Sequence, residues 1–418
     1  MPLASPVRPL DRCAREYVRL VLALGAHDPG YVDAWYGPAA WLDEVTAARP
    51  SLEEVGVAVD TLQAALEGRD VDAEVAASEP IVALRRTFLH AQVGAIRTRV
   101  ALLRGTRLTF DQESAGLYRA VSPAVTEEGC AAVVDDLANA LPGTGAVAPR
   151  LHAFLDRFLI PPDRLDVTFR AAIDEGRRRT LARIALPADE SFTLEYVTGK
   201  PWGGYNWYQG QYRSLIQVNT DLPCFVDRAV DLACHEGYPG HHVYNVLLEQ
   251  RLARGRGWVE FLVYPLYSPQ SLVAEGTANY GIDVALPPDE RLAFERDVIF
   301  PAAGLDASEV EAYYAVLARM RRVSYAGNEA ARRYLDGRAT RAETLRWLEA
   351  YALFLPERAE KRMSFIERYR SYVINYNVGQ DLVRDYVEAR VRDGQDRWTV
   401  FEALLATPVV ISNLPAAA

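Results

Sequence analysis

Most of the chain places apolar residues at the three- and four-residue spacing of amphipathic helices. The clearest such segments are residues 12–26, 80–104, 224–238, 241–254, 268–284 and 307–334. One stretch differs, because residues 191–221 are dense in tyrosine, tryptophan, glycine and threonine and contain two strand-like runs, Phe192 to Val197 and Ser214 to Asn219. The pattern predicts a predominantly α-helical protein with a small β element.

The composition changes near residue 187, and this change suggests how the chain is divided. We expect an N-terminal helical lobe over residues 1–187 and a second lobe over residues 188–418 that contains the functional site, the two forming one continuous structural unit. The tail, residues 414–418, is expected to fray.

The charge and cysteine content narrow the function classes. The net charge of −10 argues against nucleic acid as the main partner, because a phosphate-binding surface is normally basic. The four cysteines form neither a CxxC pair nor a disulfide framework. The N-terminus has no apolar signal segment and no run is long enough to span a membrane, so we expect a cytoplasmic protein that does not bind membranes.

Three of the six histidines lie close together, in the run CHEGYPGHH at residues 234–242. Neutral imidazole nitrogens and carboxylate oxygens are the ligands of catalytic zinc. A glutamate beside the first histidine can take a proton from the water that the metal binds. The run therefore predicts a zinc site with His235 as a ligand and Glu236 as the general base.

The spacing of this run departs from the common HExxH pattern, because Pro239 occupies the position of the second histidine. On an unbroken helix His241 would lie about 120° away from His235, and His242 would lie about 10 Å further along the axis. Proline removes a backbone donor, and Gly240 relaxes the backbone. We expect a local bulge that brings a downstream histidine beside His235, with both His241 and His242 open as the second ligand.

A third ligand is expected from the helix at residues 268–284, where Glu275 lies among apolar and small residues. A buried carboxylate needs a partner, which a metal ion would supply. An internal ion pair with an arginine is the alternative for Glu275. Asn279 follows one turn later and could orient a ligand histidine through a hydrogen bond.

The pattern His-Glu-x-x-Pro-Gly-His-His, followed by Glu-Gly-x-Ala-x-Tyr, resembles a large bacterial family known as domain of unknown function eight-eight-five, which is grouped with the gluzincin metallopeptidases. The resemblance is sharpest from about Tyr196 to Tyr280 and again from Phe365 to Tyr386. It implies a gluzincin-like helical metallopeptidase fold with the β element at the active-site cleft.

Helical gluzincins have a Gly-His pair that corresponds to Gly240-His241. The resemblance therefore implies His235, His241 and Glu275 as zinc ligands, with Glu236 as the general base. His242 remains the rival second ligand. If it does not bind the metal, it could donate a hydrogen bond to the substrate or to the oxyanion.

Two further segments resemble parts of such enzymes. Leu215 to Asn219 is similar to the edge strand on which zinc peptidases lay an extended substrate, although an ordinary strand is an equal alternative. The late segment around Tyr376 resembles the family's tyrosine-glycine-glutamine segment. A phenol there could stabilise an oxyanion, with Tyr376 the first choice and Tyr372 the second, against plain aromatic packing.

The sequence thus predicts a zinc-dependent metallopeptidase that hydrolyses short peptides through a metal-activated water. A zinc hydrolase of non-peptide amides or esters is one alternative. A non-catalytic scaffold protein that binds a metal is another, and the intact Glu236 counts against it.

Overall fold

The structure is a computed structural model that describes residues 7–200 and 202–412. The expected fraying of residues 414–418 lies outside these residues. The helices are α1 (Pro9–His27), α2 (Ala39–Ala48), α3 (Leu52–Leu66), α4 (Arg69–Ala76), α5 (Pro80–Leu103), α6 (Phe110–Tyr118), α7 (Glu127–Ala140), α8 (Val147–Leu155), α9 (Leu165–Leu181), α10 (Val226–Leu232), α11 (His241–Leu247), α12 (Pro269–Ala285), α13 (Pro288–Phe294), α14 (Phe300–Ala303), α15 (Val310–Arg321), α16 (Ala326–Leu335), α17 (Arg341–Tyr351), α18 (Pro356–Tyr369), α19 (Ile374–Arg392) and α20 (Arg397–Leu405). The strands are β1 (Val32–Trp35), β2 (Ser191–Val197), β3 (Gly204–Gly210), β4 (Arg213–Asn219) and β5 (Val263–Pro265).

This architecture confirms the predicted fold class, a predominantly α-helical protein with small β elements. No helix within the described residues has both the length and the apolar composition to cross a lipid bilayer.

The predicted helix at residues 307–334 is two helices in the structure, α15 and α16. Between them, three successive amide groups bond to carbonyl groups three residues back, from Arg322, Val323 and Ser324. This tighter bonding replaces the four-residue bonding of an α-helix, so the chain turns.

The larger sheet has the strand order β2-β4-β3. Strand β2 runs parallel to β4, with Ser191 opposite Arg213, and β3 runs antiparallel to β4, with Gly204 opposite Val218. Of the two alternatives for Leu215 to Asn219, the ordinary strand is confirmed and the edge strand is wrong, because β4 is paired on both sides. The edge strands of this sheet are β2 and β3. A second, two-stranded sheet pairs β1 with β5.

Helix α12 is the central element of the core, and almost every residue in it is buried. It packs closely against α19 because two glycines face each other. A Cβ atom on Gly276 would lie 2.4 Å from the carbonyl oxygen of Gly379, and one on Gly379 would lie 2.7 Å from the carbonyl oxygen of Leu272. One continuous apolar core includes Leu24 and Phe88 from the first predicted lobe and Val273 from the second. The division near residue 187 stays a prediction.

Replacing Gly276 with alanine is expected to lower the free energy of unfolding by about 1–3 kcal/mol, because the new methyl group would push the two helices apart. Urea denaturation of the variant and the wild type measures the difference. Gly94→Ala in α5 is the matched control. No atom lies within 4 Å of its added Cβ, so it should gain about 0.5–1 kcal/mol. Equal stability of Gly276→Ala and wild type would contradict the close packing.

Candidate metal centre

The helix that contains the first histidine widens into a π-helix at Ala233–Gly237 and then breaks. The amide of Tyr238 donates to the carbonyl of Ala233, 3.1 Å away, and the amide of Gly240 donates to that of Cys234, 2.9 Å away. The Tyr238–Pro239 peptide is cis. The structure thus contains the bulge that the sequence predicts.

Gly240 lies where the chain returns over its own preceding turn. A Cβ atom there would stand 1.9 Å from the carbonyl oxygen of His235. No side chain fits at that distance, so the return path requires glycine. The path starts α11 at His241, whose ring then meets the ring of His235 edge to face, with centroids 4.7 Å apart.

Three potential ligand atoms converge between α10, α11 and α12. The Nε2 atoms of His235 and His241 are 3.1 Å apart. The Oε2 atom of Glu275 lies 3.4 Å from His235 Nε2 and 3.9 Å from His241 Nε2. A tetrahedral zinc ion with bonds of about 2.0–2.1 Å separates its ligand atoms by about 3.3 Å. The three distances bracket that value, so the three side chains fit one small ion.

The hydrogen bonds of Glu275 point to the same conclusion. Its Oε1 atom accepts a hydrogen bond from the hydroxyl of Tyr372 at 2.9 Å. Its Oε2 atom is buried and has no hydrogen-bond partner among the described residues. A buried carboxylate oxygen without a partner is unfavourable, and a cation between it and the two imidazoles would satisfy it. No arginine pairs with Glu275 in the described residues, in contrast to the alternative that the sequence left open.

Asn279 sets the tautomer of His235. Its Nδ2 donates to the carbonyl oxygen of Tyr376 at 3.0 Å, which fixes the amide so that Oδ1 faces His235 Nδ1 at 3.1 Å. Nδ1 must then bear the proton, and Nε2 presents its lone pair to the cluster. This is the orienting hydrogen bond expected from the sequence.

The protonation states of His241 and Glu275 suit metal binding, whereas burial of His235 is outweighed by Glu275 and Glu236, which raise its pKa, so this ring must lose a proton when a metal binds. Burial lowers the pKa of His241 to about 4, and the nearby His235 acts in the same direction, so the His241 ring is neutral at pH 7. Burial would raise the pKa of Glu275, but its contacts with His235 and His241 outweigh that effect and lower the pKa. A neutral imidazole and an ionised carboxylate are the forms that bind zinc.

Glu236 lies beside the three ligand atoms without being needed as one of them. It forms with His235 and His241 a group whose ligand atoms lie within 4.8 Å of one another. Burial raises its pKa to about 7, near the value that suits a general base at neutral pH. Strand β3 packs against it, since a Cβ on Gly204 would lie 3.1 Å from Glu236 Oε1, and Asn206 Nδ2 donates to its backbone carbonyl at 2.6 Å.

A cavity of about 660 Å³ opens at the cluster. His235, Glu236, His241 and Glu275 form part of its lining. Much of the remaining wall is aromatic and includes Trp35, Trp202, Tyr205, Trp207, Tyr264 and Tyr369.

Tyr372 and Tyr376 both line this cavity but have different partners. The hydroxyl of Tyr372 donates its hydrogen bond to Glu275. The hydroxyl of Tyr376 makes no hydrogen bond to another described residue. Burial and the nearby Glu275 raise its pKa well above the usual value, so the phenol keeps its proton. Of the two tyrosines suggested by the sequence, Tyr376 is the one with a free donor.

The structure places His242 away from the cavity. The side chain is fully buried, its Nδ1 lies 2.8 Å from Ser214 Oγ, and its Nε2 lies 2.9 Å from Glu190 Oε2. With both nitrogens engaged, His242 can neither bind the metal nor reach the substrate in this arrangement. This corrects the catalytic role expected from the sequence and leaves His241 as the candidate for the second ligand. The hydroxyl of Tyr238 also donates to Glu190, at 2.6 Å.

Several residues at the site were not expected from the sequence. Glu190 precedes β2 and fixes both Tyr238 and His242, which flank the returning segment. Asp33 on β1 lies in the cavity wall and accepts a hydrogen bond from the hydroxyl of Tyr205. For Tyr205, the alternation with Trp207 was a local sequence signal of strand β3. The positions of Glu190 and Asp33 depend on the tertiary fold alone.

Replacing Glu190 with glutamine is expected to lower the free energy of unfolding by about 3 kcal/mol at pH 7, because a buried charged hydrogen-bond acceptor is lost. Burial would raise the pKa of Glu190, but hydrogen bonds from His242 and Tyr238 hold it at about 2. This stabilisation is present above the unfolded value near 4.5 and is lost as pH falls toward 2.

The difference between the two proteins should therefore shrink below about pH 4.5, as urea titrations at several pH values would show. Glu195→Gln, an exposed position on β2, is the control and should change stability by less than about 0.5 kcal/mol. A difference that stays constant between pH 7 and pH 3 would contradict the assignment.

No protein-family model and no curated protein matches this sequence. Several solved structures are similar in fold. A protein from Colwellia psychrerythraea, described provisionally as a lipoprotein, shares 16% identity over 89% of this chain and 71% of that chain, with a TM-score of 0.51. Metallocarboxypeptidase 1 from Trypanosoma cruzi shares 11% identity over 95% of this chain and 88% of that chain, with a TM-score of 0.45. The carboxypeptidase from Deinococcus radiodurans R1 shares 12% identity over 96% and 88%, with a TM-score of 0.40.

Proposed function

We propose that this protein is a zinc-dependent metallopeptidase whose metal ligands are His235, His241 and Glu275. The observation that supports this most strongly is the convergence of three ligand atoms at 3.1, 3.4 and 3.9 Å, one of them a buried carboxylate oxygen without a hydrogen-bond partner. A zinc ion held by these three side chains would keep one coordination position for water, as catalytic zinc sites require.

Each nearby side chain has a separate task in the proposed hydrolysis. Bound zinc would supply Lewis acidity, polarising the amide carbonyl and making water acidic enough to lose a proton. Glu236 takes that proton as general base and returns it to the leaving amine. Tyr376 donates its hydroxyl hydrogen bond to the negative oxygen that develops on the carbonyl. Tyr372 and Asn279 hold Glu275 and His235 in place.

The shape of the cavity favours a short, extended peptide. Strand β3, whose outer edge has no partner strand among the described residues, contributes Gly204 through Tyr208 to its wall. An extended peptide can pair with such an edge through backbone hydrogen bonds. The aromatic walls offer apolar surface to its side chains.

The alternatives suggested by the sequence can be told apart by substrate. A zinc hydrolase of non-peptide amides or esters would use the same ligands, but it would have no use for a free strand edge beside the metal. A metal-binding scaffold protein would not need a buried general base or a free phenol. The cytoplasmic location stays a prediction from the sequence.

The metal assignment predicts near one zinc per chain in protein purified without added metal, and its loss in His235→Ala and in Glu275→Ala, because each removes one of three ligands. Elemental analysis measures the content. His90→Ala, which changes an exposed histidine paired with Glu67, should retain the metal. If the native protein holds no metal even after zinc is offered, the hydrolase proposal fails.

The catalytic assignment predicts that Glu236→Gln keeps zinc but loses about 10²–10⁴-fold in kcat on a short-peptide library. Tyr376→Phe should lose about 10²–10³-fold in kcat with little change in KM, because the phenol acts on the developing charge. Tyr351→Phe, at an exposed tyrosine bonded to Glu127, is the control. Cleavage by Glu236→Gln at the wild-type rate would exclude Glu236 as the base.

A further inference from the structure

Helix α18 forms part of the cavity wall and continues beyond it. Arg358, Arg362, Phe365 and Tyr369 follow one another at spacings of four, three and four residues, so they share one face of the helix. Phe365 and Tyr369 line the cavity. Arg362 therefore lies about one turn from the cavity lining, and Arg358 about two turns.

Arg362 is next to the catalytic groups and lacks an acidic partner. Its guanidinium lies over the ring of Phe365, 5.3 Å from the centroid, and that ring lies 6.4 Å from the ring of Tyr376. On its other side the guanidinium packs against Gly327, where an added Cβ would be 3.5 Å from Nη2. The Nε atom is buried without a hydrogen-bond partner. Among the described residues, no carboxylate forms an ion pair with Arg362 or Arg358.

The two arginines belong to a region of unbalanced positive charge. Burial and the neighbouring Arg358 lower the pKa of Arg362, although Tyr376 opposes this. Arg358 lies at the exposed end of this face, with its guanidinium over the ring of Phe354, 5.0 Å from the centroid. A largely buried guanidinium such as that of Arg362 is unfavourable without an acidic partner unless an anion binds it.

We propose that Arg358 and Arg362 form a subsite that binds a carboxylate group of the peptide substrate close to the scissile amide. The planar guanidinium fork suits a carboxylate, which it can bind through two parallel hydrogen bonds. An extended chain advances about 3.3 Å per residue, so a carboxylate held one or two helical turns from the cavity lining belongs to a residue within a few positions of the cleaved bond. The carboxylate is either the C-terminus of a short peptide or an acidic side chain.

This inference rests on the proposed peptidase function, and its test has a cleavage arm and a binding arm. The cleavage arm uses the zinc-loaded full chain and one N-acetylated short peptide in two forms, with a free C-terminal carboxylate and with a C-terminal amide. A second pair of amidated peptides carries glutamate or alanine beside the cleaved bond. In at least one of the two pairs, the peptide with the carboxylate is expected to have a kcat/KM roughly 10–100-fold higher than its neutral counterpart, mainly because its KM is lower.

Arg362→Gln should abolish that preference and leave the rate on the neutral peptide within about threefold. Lys361→Gln is the matched control, because it removes the same charge one residue away on the exposed side of α18. Arg362→Lys retains the charge but loses the fork, so it should keep only part of the preference. If Arg362→Gln does not fold, Arg358→Gln tests the same preference.

The binding arm measures the same peptides by calorimetry with the zinc-loaded Glu236→Gln variant, which needs no turnover. A carboxylate peptide is expected to bind roughly tenfold or more tightly than its neutral counterpart, and Arg362→Gln in that background should remove the difference. If wild type cleaves nothing but this difference is seen, the subsite stands and the peptidase proposal fails. Preference through the C-terminus or through glutamate identifies the source of the carboxylate. Equal cleavage and equal binding of every pair would overturn the subsite, as would a preference that Arg362→Gln retains.

Discussion

The close approach of Gly240 to the carbonyl of His235 is the constraint on which the candidate metal centre depends. The π-helix and the break after it bring the chain back over one turn, and only a residue without a side chain can make that crossing. The crossing places His241 beside His235 although six positions separate them. Helix α12 then needs to supply only a carboxylate, Glu275, to complete three ligand atoms at zinc-like separations.

A second network, made of hydrogen bonds, fixes the segment from Tyr238 to His242 on the side that faces the sheet. Glu190 and Ser214 belong to the sheet side of the protein, and they engage both ring nitrogens of His242, while Tyr238 bonds to the same carboxylate. The two residues that flank Pro239, Gly240 and His241 are thereby tied to the sheet. The histidine that does not face the cavity, His242, thus helps to position the neighbouring His241, which does.

The sequence was sufficient for the helical fold and for naming His235, Glu236 and Glu275 as candidates, because helical periodicity and ligand chemistry are local properties. It could not decide whether His241 or His242 faces the cavity. That depends on the number of residues in the π-helix and on the contact of His242 with Glu190, which is distant in sequence. The sequence also left open whether Leu215 to Asn219 is an edge strand or an ordinary strand. Strand pairing is a long-range property, and the alternation in β4 is the same whether one or both of its sides are paired.

The glycine contact between α12 and α19 has a consequence for motion. Glu275 and Asn279 lie on α12, and Tyr376 lies on α19 with its backbone bonded to Asn279. Helices in backbone contact move together, because neither can slide without the other. Glu275 and Tyr376 are therefore held in one arrangement by the same helix pair. A substitution that loosened this contact would displace the candidate ligand carboxylate and the free phenol together.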